Sequence, residues 1–282
     1  MVWPFKRRSR KKIARIEVSG AIAGATRERL LNAFKIVEEQ RFPGLLLRID
    51  SPGGTVGDSQ EIYSALCRLQ EKTKIVASFG NISASGGVYI AMGAHHIVSN
   101  PGTITGSIGV ILRGNNLERL LDRIGVSFQV VKSGPYKDIL AFDRKLTEPE
   151  SSILQELIDT SYEQFVTTVA KARHLELETV KRFADGRIFT GEQALALGVV
   201  DRLGSEEDAR RWLAELVNLD PEKTELCTIE EPKPFWNRFL SRGQASQKQT
   251  LQAPLGTGLS ASLEHLRFEL ETHGLPLWLY RP

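Results

Sequence analysis

Short runs of Val, Leu and Ile alternate along this chain with stretches of helical periodicity, and that alternation limits the fold more than any other feature. Residues 13–18, 45–49, 75–79, 96–98 and 128–131 read as strands, and 45–49 and 75–79 are apolar almost throughout. Such strands are buried on both faces, as in a parallel sheet, where an amphipathic alternation would mark a half-exposed one. Residues 27–39, 58–72, 85–94 and 116–124 between them carry helical patterns, as crossovers between parallel strands require. The expectation is an α/β fold of stacked βαβ units with a mainly parallel sheet. Asp58 with Glu61 is expected to form a capping box, as is Thr147 with Glu150, with Pro149 in the first turn of a long helix over 149–173. A short helix over 192–197 is expected to stop at Gly198, ahead of a strand at 199–201.

Chemistry concentrates where strands give way to helices. Asn81-Ile-Ser-Ala-Ser-Gly-Gly-Val88 places Ser85 between an alanine and two glycines, at such a junction. Helix N-terminal amides point toward a serine there, and glycines let another backbone approach. That suits a nucleophile whose attack creates an oxyanion, because free N–H groups can stabilise the new charge. The competing reading is a helix cap, a common place for serine. A second strand runs into Ser51-Pro-Gly-Gly54, where Gly53 and Gly54 can turn N–H groups outward and supply half of an oxyanion hole, with Gly86 supplying the other half. Its competing reading is an ordinary turn.

A serine nucleophile needs a base. His95 and His96 follow Ser85 along the expected helix, which puts them about 15 Å away at 1.5 Å per residue. His174, His265 and His273 have no accompanying pattern. Lysine is the alternative, since desolvation lowers its pKa and a neutral amine can accept the hydroxyl proton. Lys137 lies just beyond a Gly-Pro turn beside apolar and aromatic residues expected to bury it, and Lys132 is a rival.

These segments resemble the signal peptide peptidase A family of serine proteases. The matching pieces are Arg48-Ile-Asp-Ser-Pro-Gly-Gly, Ser83-Ala-Ser-Gly-Gly-Val-Tyr-Ile-Ala, Asn100-Pro-Gly-Thr-Ile-Thr-Gly-Ser-Ile-Gly-Val and Lys132-Ser-Gly-Pro-Tyr-Lys-Asp. Ala184-Asp-Gly-Arg-Ile-Phe-Thr-Gly-Glu-Gln-Ala and Leu197-Gly-Val-Val-Asp follow, in the family's order, and the resemblance spans residues 13–215. It implies the Clp protease and crotonase type of fold. It also implies a Ser–Lys dyad with Ser85 as nucleophile and Lys137 as general base, and an oxyanion hole from Gly53, Gly54 and Gly86. Ser83 and Ser107 are expected to orient the lysine, and Asp50, Asp138 and Arg48, as charges near turns, are expected to be structural. Further implications are extended peptide substrates from signal peptides or other unfolded or membrane-derived chains, a homo-oligomeric ring or dome, and no cofactor or metal. Two rival readings are a crotonase-like acyl-CoA enzyme and a catalytically silent scaffold that recruits membrane partners.

Composition narrows the surroundings. The chain has 282 residues, enough to bury a full core, and a net charge of only +3, too mild to point to nucleic acid. Basic residues crowd residues 6–15 behind Trp3 and Phe5, and no apolar stretch follows that would serve as a signal segment or membrane span. That arm suits either a solvated leader or peripheral contact with an anionic membrane. Cys67 and Cys227 lie far apart without metal-like spacing. The expected organisation is a basic arm over 1–12, a peptidase unit over 13–215 and an extension over 216–282. The expected location is cytoplasmic. Within the extension, residues 241–262 read as a linker, and 275–280 as an apolar tail able to dock on a second subunit, a membrane interface or its own core.

Overall fold

The computed structural model describes residues 11–229 and 277–279. The chain begins with β1 (Ile13–Ser19), α1 (Gly24–Gln40), β2 (Gly44–Ser51), β3 (Gly53–Thr55), α2 (Val56–Gln70), β4 (Lys74–Ala84), α3 (Gly86–Ala91), β5 (His96–Ser99) and β6 (Ile104–Gly106). It continues with α4 (Glu118–Ile124), α5 (Glu148–Arg173), α6 (Leu177–Lys181), β7 (Ile188–Thr190), α7 (Gly191–Ala196), β8 (Arg202–Leu203), α8 (Glu206–Leu216), β9 (Leu226–Thr228) and β10 (Leu277–Leu279). The main sheet runs β7-β6-β4-β2-β1-β9, with β5 and β8 branching from β4. All its pairings are parallel except β6 with β7. The mainly parallel α/β architecture expected from the sequence is what forms.

The unbroken apolar run of β2 has a simple cause. Leu45, Leu47 and Ile49 face the helices α1, α2, α3 and α5, while Leu46 faces α8 together with Ile13, Val76 and Val98. Successive side chains point to opposite faces, so a strand covered on both sides needs apolar residues at every position. In α1 the buried set is Leu30, Ala33, Phe34 and Val37, the spacing of one helical face. In α2 it is Val56, Ser59, Ile62, Leu66 and Leu69.

Several expectations need correction. Residues 128–131 form no strand, and Val131 is wholly exposed. The last expected strand lies at β8, one residue past 199–201. Helix α2 starts two residues before Asp58, so Asp58 is its third residue rather than its cap. Its carboxylate accepts from the Thr55 hydroxyl and from Arg27 Nη1 at 3.0 Å. The Thr147–Glu150 box does form, with the Glu150 carboxylate accepting from the Thr147 N–H at 2.9 Å. The sheet reaches past residue 215, because β9 pairs with β1.

A contrast divides the molecule. From 111 to 149 no residue is buried, and the first half of α5 is exposed apart from Glu150. Helix α4 has no buried residue at all. The second half of α5 is anchored by buried Phe165, Val166 and Val169, and its end is clamped by Arg173, which pairs bidentately with Asp201 at 2.7 and 3.0 Å. The projecting segment is held by an ion cluster: Arg144 donates to Asp138 and to Glu150, at 2.9 and 2.5 Å.

The Arg144 guanidinium holds both carboxyls well below their ordinary range, Asp138 at about 2 with help from Lys132, and Glu150 at about 2 with help from the Thr147 N–H. A depressed folded-state pKa adds stability that is complete above the ordinary carboxylate range and lost as pH falls. Hydrogen-exchange protection of the first turn of α5, corrected for intrinsic rate, should therefore be flat near neutrality and collapse between about pH 4.5 and 2. Protection that persists at pH 2 would remove the cluster from this role.

Candidate active site

Ser85 owes its position to a break in register between β2 and β4. Pairing runs evenly from Gly44 opposite Lys74 to Ile49 opposite Phe79, then resumes with Ser51 opposite Ser83. Gly80, Asn81 and Ile82 thus stand against Asp50 alone, a bulge that bends β4. The Asp50 carboxylate fixes it by accepting the Ile82 N–H at 3.1 Å. A Cβ on Gly80 would come within 2.6 Å of that carboxylate, so glycine is required there. Arg48 braces β4 just before the bulge by donating to Ser78 Oγ and the Phe79 carbonyl, both at 2.9 Å. Asp50 and Arg48 are structural, as expected.

Beyond the bulge β4 ends at Ala84 and α3 starts at Gly86, with Ser85 between them at φ 53° and ψ −116°. A non-glycine residue at positive φ is strained by roughly 1–3 kcal/mol, a kind of strain that clusters at active sites. The Ser85 N–H donates to the Gly106 carbonyl at 2.8 Å, which locks the junction. Its side chain makes no cap bond, and its Oγ is buried without any hydrogen-bond partner. The cap reading therefore fails. The Ser83 hydroxyl is likewise buried and unpartnered, while Ser107 is nearly buried at φ 51°. The first N–H groups of α3, beginning with Gly86, have no carbonyl within the helix to bond.

The Pro-Gly-Gly loop is more occupied than the sequence implies. The Gly53 N–H donates to Ser51 Oγ at 3.1 Å, and the Gly53 carbonyl accepts the Ile22 N–H at 2.8 Å. Gly54 lies so close to Ile22 that a Cβ would stand 1.9 Å from its carbonyl oxygen. The outer edge of β3 is covered by β10, with Trp278 opposite Gly54.

The histidines have structural duties. His95 Nδ1 accepts the Ile75 N–H at 3.0 Å, and burial, aided by Lys74, pushes its pKa down to about 4. The His96 ring packs on Trp212, and His174 closes α5 in a left-handed conformation. His265 and His273 lie outside the described residues. Lys132 is held by Asp138 at 2.6 Å and by the Pro135 carbonyl at 3.0 Å. Lys137 is exposed, against the expectation of burial, and its ammonium has no partner among the described residues. In the single chain it is not hydrogen-bonded to Ser85.

Comparison with known proteins gives this geometry its context. The model of peptidase family S49 matches residues 67–220, a stretch that includes Ser85 and Lys137. The chain belongs to peptidase family S49. It is a serine-type peptidase, and not the acyl-CoA enzyme of the rival reading. A Synechocystis protein named as a protease is 68% identical over the full length of both chains. A protein of Enterococcus faecium named as signal peptide peptidase SppA is 39% identical over 71% of this chain and 62% of its own. Protease 4 of Salmonella typhi is 35% identical over 72% of this chain but 32% of its own length.

Two solved structures share the fold. A membrane-bound stomatin-specific protease superposes with a TM-score of 0.55 at 16% identity, over 79% of this chain and 99% of that one. ClpP1 of Listeria monocytogenes does so with 0.50 at 17% identity, over 72% and 95%. The S49 chain thus has the Clp-protease type of α/β fold. No described helix is long and apolar enough to cross a membrane.

Of the apolar tail expected over 275–280, residues 277–279 dock on the chain's own β3, whereas Ile111, opposite β3 across β10, belongs to no motif that the sequence offers.

Replacing Ser85 by alanine removes a buried, unpartnered hydroxyl. Ser85→Ala is expected to raise stability by about 1 kcal/mol, a Tm gain of roughly 2–4 °C for a chain of this size. A clear fall in Tm by calorimetry would show that the hydroxyl has a partner.

Proposed function

We propose that this S49 peptidase cleaves extended peptides, from signal peptides or other unfolded or membrane-derived chains, through Ser85 as nucleophile and Lys137 as general base. The observation that carries the reading is the buried, unbonded Ser85 hydroxyl, held at a strained strand-to-helix junction. The neutral Lys137 amine takes the hydroxyl proton as Ser85 Oγ bonds to the peptide carbonyl carbon. The oxyanion is held by the N–H groups of Gly86 and of the Gly53–Gly54 loop. As the tetrahedral intermediate collapses, the lysine returns its proton to the leaving amine. Water then attacks the acyl-enzyme with the same lysine as base. Each oxyanion donor contributes about 3 kcal/mol to lowering the barrier. Signal peptides enter as a substrate class through the name of the Enterococcus relative.

Lysine works as a base only when desolvated, and in the single chain Lys137 is wet. The segment that carries it also exposes Ile124, Phe128, Val130, Val131 and Tyr136. A second copy of this chain covering that segment would desolvate the amine and the apolar side chains together, so a homo-oligomer is part of the proposal. Contact of the basic residues 1–12 with an anionic membrane surface, on its cytoplasmic side, completes it.

A fluorophosphonate should label Ser85, and Ser85→Ala should abolish labelling and casein cleavage. Lys137→Ala should remove activity, by about a hundredfold or more, and Lys132→Ala should not. Activity should climb into the alkaline range as the amine loses its proton; a plateau already reached below about pH 6 would exclude a lysine base. For assembly, Val131→Glu changes a side chain that touches nothing in the single chain. It should leave Tm of the separated protomer unchanged yet shift sedimentation to smaller species and lower activity. Sedimentation identical to that of the parent would sink the interface.

A further inference from the structure

Lys137 stands on a turn that has little packing beneath it. No residue from 111 to 149 is buried, and a cavity of about 580 Å³, lined by Leu112, Leu140, Leu154 and Ile158 among others, lies between this segment and α5. The turn's own main-chain bonds are long. The Lys137 N–H donates to the Gly134 carbonyl and the Ile139 N–H to the Tyr136 carbonyl, each at 3.3 Å. Lysine carries its amine on a flexible four-carbon stem, so the amine is only as well placed as the backbone at its root.

Arg144 supplies what packing does not. Its Nη2 donates to the main-chain carbonyl of Asp138, the residue after Lys137, at 3.1 Å. Nη2 and Nε also grip the Asp138 carboxylate, at 2.9 and 3.2 Å. The same guanidinium holds the Glu150 carboxylate through Nη1 at 2.8 Å and Nη2 at 2.5 Å. Glu150 is 2% exposed and accepts further from the Thr147 N–H and hydroxyl, at the start of α5. One planar fork thus joins the peptide beside the lysine to a helix whose other half is anchored in the core. Exposed ion pairs usually contribute little, but this one is bidentate at both carboxylates and one of its partners is buried. Lys132 provides the contrast. It also bonds Asp138, at 2.6 Å, but its other bond goes to Pro135 in the same turn, and neither partner belongs to α5. Resting on the Ser85–Lys137 reading, we infer that Arg144 is a positioning residue. It acts through Lys137, fixing the root of that side chain so that the amine reaches the Ser85 hydroxyl.

The test is the rate at which a small fluorophosphonate labels Ser85 in the assembled, full-length protein. Ser85 Oγ bonds to phosphorus as fluoride leaves, and the hydroxyl proton passes to Lys137, so the rate reports the base without a bound peptide. Arg144→Gln should slow labelling by about ten- to a hundredfold, the scale of loss when a reacting group is misplaced by about 1 Å. Lys132→Ala should change it by less than about twofold, because an exposed pair within the turn contributes little. In a Lys137→Ala background, Arg144→Gln should slow labelling by no more than about twofold, because the amine it positions is gone. A merely structural role would carry its full factor into that background, through loss of folded protein. That result, or parental labelling by Arg144→Gln, overturns the inference. So does a shift of Arg144→Gln to smaller sedimenting species, which would make Arg144 an assembly residue. Arg144→Lys keeps the charge but not the fork and should label more slowly than the parent; full recovery overturns the inference as well. Failure of the Ser85–Lys137 reading is recorded separately, as parental labelling by Lys137→Ala.

Discussion

The slip in register after Ile49 is the constraint on which the rest of the site depends. Asp50 accepts the Ile82 N–H and occupies the space that a side chain on Gly80 would need, so three residues of β4 must pass one of β2. The consequence is twofold. The first half of β4 pairs with β5 and the second half with β6, so one long strand feeds two neighbours. The chain also emerges at Ser85 with its amide bonded to the Gly106 carbonyl of β6, in a backbone conformation the residue would not adopt alone. Strain at one residue is sustained because the residues around it are over-determined.

The body and the projecting segment follow different rules. In the body the central strands are covered on both faces, and the sequence answers with apolar side chains on both faces of β2. In the segment over 111–149 no residue is buried, and charge does the holding: Arg144 ties the turn around Lys137 to the first turn of α5 through Asp138 and the buried Glu150. Exposed apolar side chains remain in that segment because nothing in the single chain needs them.

Legibility in the sequence follows the same division. β1, β2, the first half of β4 and β5 were readable because burial on both faces writes itself as Val, Leu and Ile. The helices α1 and α2 were readable from their buried faces, and the box at Glu150 from Thr147. The motif around Ser85 marked the junction, and the structure removed the cap reading by leaving the hydroxyl unbonded. Residues 128–131 misled because Phe128, Val130 and Val131 have strand-like composition without a neighbouring strand. The Asp58 box failed because Thr55 takes the cap and Asp58 turns back to meet its hydroxyl. β3, β6, β7 and β10 are three residues each, too short to show periodicity, and β10 depends on a partner more than two hundred positions away. The exposure of Lys137 was not legible, because no property of its local sequence says what lies against it.

The anchoring of α5 has a mechanical side. Its C-terminal half is gripped by Phe165, Val166, Val169 and the Arg173–Asp201 clamp, while the other half stands free, so the helix is a cantilever. From Ser161 to Glu150 it extends about 16 Å at 1.5 Å per residue, so a tilt of about 10° at the grip displaces the tip by about 3 Å. Glu150 carries Arg144, and Arg144 carries the turn around Lys137. The angle of one helix therefore sets where the amine arrives, over a range as large as a hydrogen bond is long.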